Sequence, residues 1–100
     1  MSYIYIWKFE VKQGKETEFE QIYGSDGDWV RLFLRGKGYV RTMLVRDIAE
    51  KNIYLTVDEW ETADSFRKFQ KEYRESYSEL DQKCSSLTIH ESQIGEYERI

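Results

Sequence analysis

Tyr3-Ile4-Tyr5-Ile6-Trp7-Lys8-Phe9-Glu10-Val11 is the stretch on which the fold turns. Aromatic and β-branched residues dominate it, and both suit a pleated strand. Side chains along a strand alternate between two faces. Tyr3, Tyr5, Trp7 and Phe9 therefore share one face, and Ile4 and Ile6 share the other. Neither face is polar. A sheet built around this strand needs cover on both sides.

Working outward, Gly14 ends the strand and Lys15 to Tyr23 reads as a helix, with Glu16 and Glu18 in its first turn. Negative charge is favoured there by the helix dipole. Gly24-Ser25-Asp26-Gly27-Asp28 is a turn, and Trp29 to Arg35 forms a second helical piece ended by Gly36 and Gly38. Tyr39 to Asp47 and Asn52 to Trp60 are two strands. The short polar link Ile48-Ala49-Glu50-Lys51 between them predicts an antiparallel hairpin. In the third strand Ile53, Leu55 and Val57 oppose Tyr54, Thr56, Asp58 and Trp60, so it is two-faced as well. Thr62 caps a long helix that starts near Ala63. Phe66, Phe69, Tyr73, Tyr77, Leu80, Cys84 and Leu87 step along it by three or four, as one apolar stripe that tolerates a kink near Tyr73. Thr88 to Tyr97 is the fourth strand.

The element order is β-α-β-β-α-β. It predicts an α+β, ferredoxin-like fold: one four-stranded antiparallel sheet with helices on one face. Residues 1–100 fit a single domain. Two helices cover only one face of the sheet. The other would leave a larger apolar patch than monomers usually expose, so a two-fold homodimer packed sheet against sheet is expected.

The composition narrows the partners. Fifteen Lys and Arg stand against 19 Asp and Glu, a net charge of −4. No basic patch recommends nucleic acid or an anionic membrane. No apolar run is long enough to span a bilayer, and the first residues lack a signal-peptide pattern. The single Cys84 excludes an internal disulfide and fits a reducing cytoplasm. Neither a metal-ligand spacing, a P-loop nor a dinucleotide fingerprint occurs, so no metal, ATP, NAD or flavin is expected.

Aromatics make up 16% of the chain. The set expected to face the helices is Tyr5, Trp7, Thr56, Asp58, Trp60, Phe66, Phe69, Tyr73 and Tyr77. It reads either as a core or as the wall of a ring-binding pocket. Buried Tyr and Trp need hydrogen-bond partners, and Asp58 is costly in a dry core, which tilts the reading toward the pocket. His90, the only histidine, reads first as a satisfied strand residue. Glu91 beside it points to the other face and orients it poorly. Cys84 lies on the apolar stripe and reads as an inert thiol.

Tyr23-Gly24-Ser25-Asp26-Gly27-Asp28-Trp29, Gly38-Tyr39 with Thr42 and Leu44, Tyr54-Leu55-Thr56-Val57-Asp58-Glu59-Trp60 with Phe66, and Ile94-Gly95 together resemble the antibiotic biosynthesis monooxygenase-like family. The resemblance covers nearly the whole chain. It implies a dimeric α/β barrel formed by two ferredoxin-like sheets. It also implies oxidation of phenol, quinol or polyketide-like aromatics with O₂, without flavin or metal. Actinorhodin-type members place Asn, Trp and Tyr around the substrate. The matching positions here are Thr56, Trp60 and Phe66, so only the Trp is kept. The haem-degrading branch uses Asn, Trp and a ligating His. The matches are Trp7, Phe69 and a site near Glu79, and none is kept.

The expectation is a cofactor-independent monooxygenase for a small aromatic ligand. Tyr5, Trp7, Thr56, Trp60, Phe66, Phe69, Tyr73 and Tyr77 would bind the ring. Asp58, its pKa raised by burial, or His90 would take the proton. The alternative is a non-catalytic dimeric binding or stress-related module that keeps the pocket. A haem handler comes last.

Overall fold

The structure, a computed structural model, describes residues 2–100. Its strands are β1 (Tyr3–Val11), β2 (Tyr39–Arg46), β3 (Ile53–Trp60) and β4 (Thr88–Glu98). Four helical segments connect them: α1 (Glu16–Tyr23), α2 (Asp28–Phe33), α3 (Ala63–Glu72) and α4 (Arg74–Cys84). The sheet order is β2-β3-β1-β4, and every neighbouring pair is antiparallel. This is the ferredoxin-like arrangement that the strand order implied.

The ends of the elements follow local chemistry. Thr62 accepts a hydrogen bond from the Ser65 amide at 3.0 Å and so caps α3. Asp47 Oδ2 accepts from the amides of Ala49 (3.1 Å) and Glu50 (2.7 Å), which folds the β2–β3 hairpin turn. Gly38 sits at φ +96, where a β-carbon is disfavoured and would also meet the Ser65 side chain.

One expectation changes. The apolar stripe from Ala63 onward is not one helix. Tyr73 (φ −111, ψ 32) leaves helical geometry and separates α3 from α4. Its hydroxyl donates to the Arg35 carbonyl at 3.2 Å, which fastens the break to the end of the α2 segment.

The core lies between helices and sheet. Phe9, Val11, Phe19, Tyr54, Trp60, Phe69 and Leu87 are all buried there. Trp60 has no exposed surface. Its indole packs on Phe33, Tyr39, Phe66 and Phe69 at centroid distances of 5.0–5.8 Å. Gly36 lies so close to Trp60 and Phe69 that a β-carbon would meet them within 3.0 Å.

The opposite face carries no helix. Its centre is a row in register across three strands: Ile6, Val57 and Met43. Met43 is half exposed, and Val45 and Tyr97 are also open. Glu59 is buried on this face. It accepts from the Ser2 hydroxyl and from Arg99 (2.9 Å) and pairs with Arg41 (3.2 Å). Those partners hold its carboxyl below the usual range, the Ser2 hydrogen bond foremost.

Candidate functional site

Strand parity brings Tyr5, Trp7 and Phe9 of β1, Thr42 of β2 and Thr56 and Asp58 of β3 to the helix-covered face. There they line a cavity of about 280 Å³. α1, α2 and α4 supply the roof with Tyr23, Trp29 and Phe33, and Tyr77 and Asp81. Glu91 of β4 closes one side. Asp81 and Glu91 are exposed and mark the mouth, whereas Tyr5, Thr56 and Asp58 are buried and mark the inner end. The volume is at the low end for ligand pockets.

Asp58 is the chemically distinctive group. It is 5% exposed. Thr42, its neighbour in the β2–β3 register, donates a hydrogen bond to Oδ1 at 2.5 Å. The Tyr39 hydroxyl in turn donates to Thr42 Oγ1 at 2.7 Å. A continuous chain of hydroxyls therefore runs from Tyr39 to the carboxylate. Burial raises the Asp58 pKa to about 7, and the Thr42 hydrogen bond only partly opposes that rise. A carboxyl poised near neutrality can take up and return a proton.

The cavity holds unspent polar capacity. The Tyr5 hydroxyl and the Trp29 indole N–H are buried without a hydrogen bond of ordinary geometry; Tyr5 lies beside the Trp60 indole, and Trp29 beside Tyr23 and Cys84. The Tyr5 hydroxyl lies within the field of Asp58, and burial followed by that charge pushes its pKa well up. Burial also raises Tyr77, and the charges of Asp81, Asp58 and Glu91 add to this. Both phenols remain neutral donors at physiological pH.

The expected site residues divide. Tyr5, Trp7, Thr56, Asp58 and Tyr77 come together around the cavity. Trp60, Phe66, Phe69 and Tyr73 do not line it. Trp60 and Phe69 are core, Phe66 packs on Tyr5 at 4.6 Å behind the wall, and Tyr73 bonds to Arg35. His90 lies away from the cavity too. It pairs with Glu10, whose side chain belongs to the uncovered face, while Glu91 beside it turns into the cavity. His90 and Asp58 thus lie on opposite sides of the sheet. Phe9, Tyr23, Trp29, Phe33, Thr42, Asp81 and Glu91 line the cavity without having been expected there. Phe9 shares its parity with Tyr5 and Trp7, so a signal for it existed.

Cys84 is buried against Tyr23 and Trp29, and burial raises its pKa, which suits an inert thiol. Among the described residues, no group of three His, Cys, Asp or Glu side chains is placed to hold a metal ion, and no helix is long and apolar enough to cross a membrane.

Similarity to known proteins agrees with this architecture. SnoaB, a cofactor-independent oxygenase from Streptomyces nogalater, superposes with a TM-score of 0.80 at 21% identity, over 99% of this chain and 93% of its own. A conserved protein from Methanosarcina mazei Go1 superposes with a TM-score of 0.79 at 15% identity, over 100% of this chain and 94% of its own. At such identities the likeness is one of fold. No curated protein matches the sequence. The sequence pattern of the antibiotic biosynthesis monooxygenase family matches residues 2–75, and the chain belongs to that family.

Proposed function

We propose that the cavity is the active site of a cofactor-independent monooxygenase acting on a small, electron-rich aromatic such as a phenol, a quinol or a polyketide-like ring. The observation that carries this reading is Asp58, a buried carboxyl with a pKa near 7 at the inner end of an aromatic cavity. Asp58 removes a proton from an acidic ring position. The resulting anion gives one electron to O₂. The radical and superoxide then join in a C–O bond, and the peroxide takes the proton back from Asp58. For a ring CH₂, loss of water leaves C=O, so that CH₂ and O₂ become C=O and H₂O. Tyr5, Tyr77 and Trp29 are donors available to the developing oxyanion. The walls exclude water and hold the ring in place.

The test is oxygen uptake with a panel of hydroquinones and anthrones. Uptake that follows a group of pKa about 7, rising with pH, supports the reading. Ligand binding without any uptake supports instead a non-catalytic binding module. Thr56 favours that module, because it lines the cavity where the resemblance places a substrate-side Asn.

We also propose that two copies pair through the uncovered sheet face. The Ile6–Val57–Met43 row is apolar and carries no helix, with Met43 exposed and the other two half-buried, and a face-to-face pair would bury it. Sedimentation is expected to give a dimer, and Val57→Lys to shift it to monomer with the fold retained by circular dichroism. A wild-type monomer at micromolar concentration would overturn this. The unpaired Cys84 suits a reducing cytoplasm.

A further inference from the structure

We propose that the cavity selects an aromatic ligand bearing a protonated amine and turns away its carboxylate counterpart. This rests on the reading of the cavity as a ring-binding site and adds the charge of the ligand.

The lining itself supplies the argument. Seven of its twelve residues are aromatic, two are threonines and three are the acids Asp58, Asp81 and Glu91. Lys, Arg and His are missing from it. Among the described residues none of the three acids takes part in an ion pair, although other carboxylates at the surface do. The acids converge. All three act on the Tyr77 hydroxyl, Asp58 also acts on Tyr5, and Asp81 acts on Glu91. His90, the one basic side chain that acts on Glu91, belongs to the opposite face.

Negative charge therefore gathers around one volume, and aromatic faces add to it because their π clouds are electron-rich. An ammonium group is stabilised by both. A carboxylate meets repulsion from both and finds no cation. The unpartnered donors point the same way. The Tyr5 hydroxyl and the Trp29 N–H are each more than nine-tenths buried, and both residues form cavity wall. They suit a neutral acceptor, such as a ring oxygen, better than further protein contacts. The resulting pose places the ring oxygen inside near Asp58 and Tyr5. The ring lies between Trp7, Tyr23 and Trp29, and the ammonium at the mouth between Asp81 and Glu91.

Three phenols of similar size test this: tyramine (cationic), 4-ethylphenol (neutral) and 4-hydroxyphenylacetate (anionic). Each is titrated into the full chain at pH 7.5 and low salt, with the Trp indole N–H signals followed by NMR. Tyramine is expected to bind about tenfold or more tightly than 4-ethylphenol, and the anion to leave the indole signals unmoved. Asp81→Asn with Glu91→Gln should bring the ratio of tyramine to 4-ethylphenol affinity close to one. Equal binding of tyramine and 4-ethylphenol, or preferential binding of the anion, overturns the charge preference and leaves the ring-binding reading standing. Failure of all three to bind overturns both.

Discussion

Asp58→Asn is expected to abolish turnover and to stabilise the protein at alkaline pH. Asparagine keeps the size of the side chain, and its carbonyl oxygen still accepts from Thr42. What disappears is the ionisable proton. Loss of a positioned base typically costs about 10²–10⁴ in rate. The stability effect has a definite sign. The folded pKa is about 7, against a model value of 3.8. A raised carboxyl favours the folded state only while protonated, so its contribution is intact below pH 3.8 and lost as pH rises toward 7. Ionising it in the folded protein then costs about 4 kcal/mol at pH 8 relative to acid conditions. The asparagine variant escapes that cost.

Urea denaturation of both proteins at several pH values checks this. The variant's advantage should be small near pH 4 and grow steadily to pH 8. The groups facing Asp58 do not confuse the reading. Tyr39 and Thr42 on β2, Tyr5 on β1 and Tyr77 on α4 either do not titrate or, for the three tyrosines, have pKa values raised by burial. Glu91 at the mouth is raised as well, but it is present in both proteins and its own pH dependence largely cancels in the difference. An advantage that does not change with pH would show that Asp58 is not held neutral by burial.

Trp60→Ala is expected to cost about 3–5 kcal/mol of stability, the range for removing a large aromatic from a core. The indole has no exposed surface and sits among four aromatic rings and Gly36. A loss of that size approaches the whole stability of a small domain. Any fall in activity in this variant therefore reports unfolding. Trp7→Ala is the informative partner. Trp7 lines the cavity, is only partly buried and has one ring neighbour, Phe9 at 6.5 Å. It should lose ligand affinity and keep most of its denaturation midpoint. Equal destabilisation of the two variants would contradict this division between core and wall.

That division also shows where the sequence stops being informative. Strand parity and the helical stripe were enough for the four-stranded sheet, its two apolar faces and five of the residues now around the cavity. Parity tells which face a side chain joins, but not whether a helix then lies on top of it. Trp60 and Thr56 share a face of β3, yet α3 seals the Trp60 end, while beyond the break at Tyr73 α4 leaves space over Thr56. The break depends on a long-range bond to Arg35, which no local pattern announces. Thr42 meets Asp58 only through a register that contains an irregularity between Tyr39 and Arg41. Two register shifts along the β1–β4 pair likewise decide which face receives Glu91 and which receives His90. A slip of one residue exchanges the two faces.

The Glu59 cluster has a topological consequence. The Ser2 carbonyl accepts from the Arg99 amide at 3.0 Å, and both side chains converge on Glu59. Two segments separated by almost the whole sequence are thus clasped at one edge of the apolar face, and fraying of either β1 or β4 there releases the buried Glu59 carboxylate as well.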